Sequence, residues 1–134
     1  MRPVYIAAPY TADTAEELAW NVARAALLGR VALSEGLCPI VVHPSIAAGV
    51  YGDDADPAER QAGINCSLQL LDLVKGAGGW LWVLAGESSG VRAEVARWGD
   101  PSAATVGSWE EWRHRVPLQW VPAWERLQTW KVTQ

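Results

Sequence analysis

The sequence predicts an α/β domain built on a parallel sheet. Three observations carry this. Short apolar, β-rich runs alternate with helix-patterned stretches along the chain. The apolar runs show no in-out alternation, which suits strands covered on both faces. The 134 residues, 50% of them hydrophobic, suit one domain over 1–134 with one well-formed core.

The first strand is Pro3 to Ala8, broken by Pro9-Tyr10-Thr11. Asp13 or Thr14 caps the helix that follows, with Glu16 and Glu17 in its first turn, where the dipole favours acids. Leu18, Val22, Ala25, Ala26, Gly29 and Leu33 give it one apolar face, and Gly36 ends it. Leu37 to Val42 reads as a second buried strand with His43-Pro44-Ser45 at its end, followed by a loop carrying Tyr51 to Asp54. Asp56, Pro57 and Glu59 show helix-start chemistry, with a capping box expected between Asp56 and Glu59. That helix runs through Ile64, Leu68, Leu71 and Val74 to Gly76.

The third strand is Gly79 to Ala85, and a helix follows to about Trp98. Gly99-Asp100-Pro101 stops it. Ala103 to Val106 is expected as a fourth strand, Ser108 to Glu111 as a capping box opening a short helix, and Val116 to Val121 as a fifth strand despite Pro117. Pro122 starts a final helix.

Composition narrows the function classes. A net charge of -4 and a pI of about 5.1 argue against general affinity for nucleic acid duplexes or anionic membranes, which need clustered Lys and Arg. No apolar run approaches the ~20 residues that span a bilayer, and no basic-then-apolar leader precedes the first strand. A cytoplasmic location is the expectation. The two cysteines, Cys38 and Cys66, lack metal spacing and are expected reduced and packed as small apolar residues. Nine tryptophans and no phenylalanine make Trp the large core aromatic. Trp109, Trp112, Trp120, Trp124 and Trp130 crowd the C-terminal part.

In a parallel sheet, ligands bind beyond the C-terminal ends of the strands. This gathers Ala8–Thr11, His43–Asp54 and Gly86–Glu94 in one place. The last of these, GESSGVRAE, is the most informative. Its small and hydroxyl residues at a strand-to-helix turn suit an anion, and Glu94 follows about a turn and a half into the helix. The plain alternatives are a capping role for Ser88 or Ser89 and a solvated Glu94 paired with Arg97 or Lys75. There is no GxGxxG after the first strand and no Walker-type lysine loop. A paper triad of Ser88, His43 and Asp54 lacks the GxSxG elbow. With two histidines and no ligand spacing, no metal site and no organic cofactor are expected. Asp53, Asp54, Asp56 and Glu59 form an acidic cluster that fits a cap and a polar loop, or the hydroxyls of a sugar. Tyr5 and Tyr10 sit on and just after the first strand, Tyr10 nearer the site.

Three blocks in order resemble the nucleoside 2-deoxyribosyltransferase-like superfamily, in particular a little-characterised phage and bacterial branch related to nucleoside 5'-monophosphate N-glycosidases. They are Val4-Tyr5-Ile6-Ala7-Ala8-Pro9-Tyr10, then Val42-His43-Pro44 continuing to Asp53 through Arg60, then Trp80-Leu81-Trp82-Val83 continuing through Ser88-Ser89-Gly90-Val91-Arg92-Ala93-Glu94. The resemblance covers roughly residues 3–98. It implies a Rossmann-like (flavodoxin-like) fold, a parallel sheet of about five strands with helices on both faces. It also implies a Glu nucleophile, Glu94, attacking C1' of a nucleoside or nucleotide sugar, with hydrolysis or base transfer to follow. Ser88, Ser89, Gly90 and Val91 would hold phosphate or sugar. Tyr5, Ala8, Tyr10 and His43 would line the rest of the site. An ungapped count puts Leu70 where those enzymes carry an Asp. Asp72, two residues on, is turned by ~200°, so Asp72 and Asp54 both stand as candidate acids.

The resemblance also implies a homo-oligomer, a dimer or larger. Two rival classes accompany this reading: a nucleotide-binding sensor or sequestering protein with the same pocket, and an interaction protein built on the Trp-rich C-terminus. In the latter, Trp120, Trp124 and Leu127 share one helical face.

Overall fold

In a computed structural model, the chain forms a four-stranded, wholly parallel sheet in the order β2-β1-β3-β4. The structure describes residues 1–86 and 88–133, with side chains up to residue 128. The strands are β1 (Pro3–Ala7), β2 (Cys38–Ile40), β3 (Trp80–Leu84) and β4 (Ala104–Gly107). The helices are α1 (Ala15–Ser34), α2 (His43–Ala47), α3 (Pro57–Gly76), α4 (Ser89–Trp98), α5 (Trp109–Trp112) and α6 (Val121–Thr133). Parallel pairing with helices on both faces is the α/β class that the alternation of elements predicts, and the strand order begins as in flavodoxin-like sheets.

Each sheet face has its own core, because successive strand residues point to opposite sides. Val4, Ile6, Trp82 and Leu84 face α1, α5 and α6, where they meet Leu28, Val31, Trp109, Trp112 and Trp124. Tyr5, Ala7, Leu81 and Val83 face α3 and α4, where they meet Leu71, Val74, Val91 and Trp98. The central strands β1 and β3 are therefore buried on both sides. Gly79 brings α3 and β3 close together. A Cβ there would lie 2.6 Å from the Pro3 carbonyl oxygen and 2.7 Å from that of Val74.

The helix caps follow the local chemistry. Thr14 accepts from the Glu17 amide at 3.1 Å and Asp56 from the Ala58 amide at 2.9 Å. Ser108 and Glu111 form the expected reciprocal box. Asp56 bonds the second helical amide rather than the third, and no box with Glu59 is present there.

Three expectations change. The second strand is short and lies at the sheet edge, with Cys38 exposed rather than packed. Pro39 has no amide hydrogen to donate, which an edge strand tolerates. His43–Ala47 is a helical turn instead of loop. Val116–Val121 is no strand: Leu118–Trp120 is a 3-10 turn, and Val121 already belongs to α6. Pro117 cannot donate to a ladder, and the segment follows a different route, leaving Val106 on β4 59% exposed. Among the described residues no helix is long and apolar enough to cross a membrane.

Candidate functional site

A cavity of about 490 Å³ opens beyond the C-terminal ends of β1 and β3. β1 lies between β2 and β3, so the chain leaves it in one direction and returns on the other side. That arrangement parts the connecting loops and makes a crevice. The walls come from Tyr5 and Ala8–Thr11, from His43 and Ile46, from Tyr51, Gly52, Asp54 and the inner side of α3, and from the start of α4.

The start of α4 is one wall. Ser88 is its N-cap, and its hydroxyl accepts from the Val91 amide at 3.2 Å. The amides of Ser89 and Gly90 precede the first intrahelical bonds, as in any helix start, and both residues line the cavity. Ser88 thus does the capping job and still stands on the wall.

Glu94 lies on the same wall, one turn further along. Burial pushes its carboxyl up to about 7, and the Tyr5 hydroxyl beside it opposes this only in part. Neither expected partner reaches Glu94: Arg97 is bonded to Asp72, and Lys75 to the Trp98 carbonyl. Tyr5 comes up from the centre of β1 and is fully buried. Its hydroxyl stands beside Glu94 and Ser67, yet no described residue completes a well-formed hydrogen bond with it. Burial and the Glu94 charge push the phenol pKa up, so Tyr5 stays a donor.

The opposite side is built by the loops after β1 and β2. Asn21, buried on α1, donates to the Tyr10 carbonyl at 3.0 Å and fixes the β1–α1 loop. Arg24 in turn donates to Asn21 at 3.3 Å while stacked over Trp20. His43 Nε2 lies 2.7 Å from the Ala8 carbonyl, which can only accept, so this nitrogen carries the proton. Burial pushes the imidazole pKa down and keeps it neutral, and Nδ1 is left as an acceptor without a described partner. The Tyr10 ring tilts against His43 at 5.7 Å between centroids. Asp54 stands near Tyr10 and raises its phenol pKa in addition to burial.

Tyr5, Ala8, Tyr10, His43, Asp54, Ser88, Ser89, Gly90 and Glu94 are therefore brought together. Two expected site residues are not. Val91 turns its side chain into the second core and gives its amide to the Ser88 cap. Asp72 is on the outer side of α3, paired with Arg97 at 2.6 and 3.0 Å, because the helical rotation carries it away from the cavity. Leu70 packs against the second core. Glu87, within the opening motif, lies outside the described residues.

Sequence reasoning missed Ser67, Arg60 and Ile64 on the wall, while Tyr51 lies in the loop it did bring to the site. Ser67 had a signal: it sits four residues before Leu71 on the apolar stripe of α3, where a hydroxyl is out of place. Its hydroxyl donates to the Gly63 carbonyl at 3.1 Å. Arg60 and Ile64 continue the same stripe toward the helix start. Among the described residues, no group of three or more His, Cys, Asp or Glu side chains is arranged to hold a metal ion.

The model of a family described as a domain of unknown function (DUF7768) matches residues 2–101. The chain belongs to the DUF7768 family. Every residue on the cavity wall, from Tyr5 to Glu94, falls within the DUF7768 match. The strand β4 and the Trp-rich C-terminal part lie beyond it. No curated protein and no solved structure matches the chain.

Proposed function

We propose that the cavity binds a nucleoside or nucleoside 5'-monophosphate, and that Glu94 breaks the N-glycosidic bond as a nucleophile. The observation that carries this reading is the convergence of Glu94, the Tyr5 hydroxyl and the amide-rich start of α4 on one cavity wall. The volume is in the range of small-ligand pockets. In this reading the α4 start holds the sugar or its phosphate, as helix N-termini do, and Tyr10, His43 and Asp54 face the base.

The ionised Glu94 carboxylate attacks C1'. The C1'–N bond breaks, its electron pair leaves with the base, and the base takes a proton from solvent. Water then attacks C1' of the glycosyl ester, gives up a proton, and releases Glu94 as carboxylate. A second base in place of water gives transfer. In this reading the Tyr5 hydroxyl beside Glu94 orients the attacking oxygen. The proposal includes a homo-oligomer, a dimer or larger, in the cytoplasm.

A second reading, a sensor or sequestering protein that binds nucleotide without turnover, is favoured by one observation. The acid expected on α3 is absent from the cavity, since Asp72 is engaged outside by Arg97.

Chromatographic base release from a panel of nucleosides and monophosphates, with Glu94→Ala alongside, tests both. Release by the natural chain and its loss in the variant is the expected result. Equal release by Glu94→Ala removes Glu94 from the role. Tight binding in calorimetry with the ligand recovered intact selects the second reading.

A further inference from the structure

Asp54 and Arg60 share a position that the glycosidic chemistry does not use. Both line the main cavity, and both also line an adjoining hollow of about 290 Å³ with Pro57, Gln61 and Ile64. They therefore stand side by side at the rim between the two spaces. Their mutual contact is loose. Arg60 Nε lies 3.8 Å from Asp54 Oδ1, too far for a hydrogen bond. The other three ion pairs among the described residues close at 2.5–2.7 Å. No described residue hydrogen-bonds the Arg60 guanidinium or the Asp54 carboxylate, so the fork of the one and both oxygens of the other are available to a ligand. Tyr10 is next to Asp54, close enough to feel its charge, and offers an aromatic surface.

Side by side, the pair offers two acceptor oxygens next to a donor group. A carboxylate accepts twice, and a guanidinium only donates. The complement is a planar edge with two adjacent N–H donors followed by an acceptor. Among the common bases guanine alone has this edge, in N1–H, the N2 amine and O6. Adenine and cytosine offer an amine beside a bare ring nitrogen, and uracil and thymine offer one N–H between two carbonyls. Resting on the nucleotide reading above, we infer that Asp54 and Arg60 make this a guanine-selective site, with the carboxylate on N1–H and the 2-amine and the guanidinium on O6.

Calorimetry with guanosine, inosine, adenosine, cytidine and uridine 5'-monophosphates, each also as the 2'-deoxy form, tests this. Guanosine monophosphate should bind at least about tenfold more tightly than the others, inosine monophosphate being weakened by loss of the 2-amine alone. Asp54→Asn should abolish that preference by weakening guanosine monophosphate at least about tenfold more than adenosine monophosphate. Arg60→Gln should weaken both 6-oxopurines more than adenosine monophosphate. Both side chains are exposed, and thermal melts of the variants check that they fold. Nucleotide binding without a guanine preference, or a preference that survives Asp54→Asn, overturns this inference and leaves the nucleotide reading standing. Absence of binding by every nucleotide overturns both.

Discussion

Glu94 is a carboxyl lifted to about 7 by burial, and this has two consequences with opposite uses. A nucleophile must be ionised, so base release should rise with pH and level off above about 7. A kcat/KM profile across pH 5–9 reads this limb directly. A profile flat through 7 would mean that Glu94 does not act in its ionised form. Stability runs the other way. A carboxyl whose folded pKa exceeds its unfolded value binds more protons when folded. Its ionisation therefore costs nothing below about 4.5, costs progressively more between 4.5 and 7, and costs the full amount above 7. Glu94→Gln should raise stability at pH 8 by about 1–3 kcal/mol and change it little at pH 4. Urea titrations at the two pH values measure the difference, and equal shifts at both would show that burial is not what moves this group. Glu94 and Ser88 were legible in the sequence because one helix start holds both. The ~200° turn between Leu70 and Asp72 was legible as well, but which side of α3 meets the cavity was not.

At the scale of elements, the strand-to-helix unit β3–α4 is the best-specified part of the site. An apolar strand, a serine cap and a left-handed Gly99 bound it, each recognisable from local chemistry. Ser88→Ala should cost about 1 kcal/mol in stability through the lost Val91 bond. Ser88→Gly should cost only a few tenths, because glycine also caps. If phosphate sits at this helix start, both variants should weaken monophosphates more than the corresponding nucleosides, which paired calorimetric titrations would show. The elements that were misjudged are those set by neighbours. β2 read as a buried strand from its apolar run, but it pairs with β1 alone. The segment 116–121 has strand-like residues but turns into a 3-10 helix and α6 and leaves the β4 edge unpaired among the described residues.

For the whole molecule, the tryptophans decide how the C-terminal part is attached. Trp109 and Trp124 stack with centroids 3.4 Å apart and planes within 2°. Each indole donates to the other's carbonyl at 2.8 Å. Arg115 lies over Trp82 at 4.3 Å and forms an ion pair with Glu35 at the end of α1. Trp120, Trp124 and Leu127 pack on the first core, and the Trp130 side chain lies outside the described residues. Trp124→Ala should therefore destabilise the fold by about 3–5 kcal/mol, a large share of a domain's total. Thermal denaturation would check it, and a melting point unchanged within a degree would mean that the tail is not part of the cooperative unit.

The sequence by itself determined the strand-helix alternation, the caps, and the position of Glu94 behind a serine-rich turn. These depend on residues within a few positions of one another, where propensity and local hydrogen bonding act. Only the tertiary structure decided that Tyr5 meets Glu94 and Ser67, that Asp72 faces away, and that Asp54 stands beside Arg60 at the cavity rim. The first two join β1, α3 and α4 across long sequence separations, and the third sets the loop before α3 against its first turns at the cavity rim. They are fixed by sheet order and by which face of each helix the two cores bury.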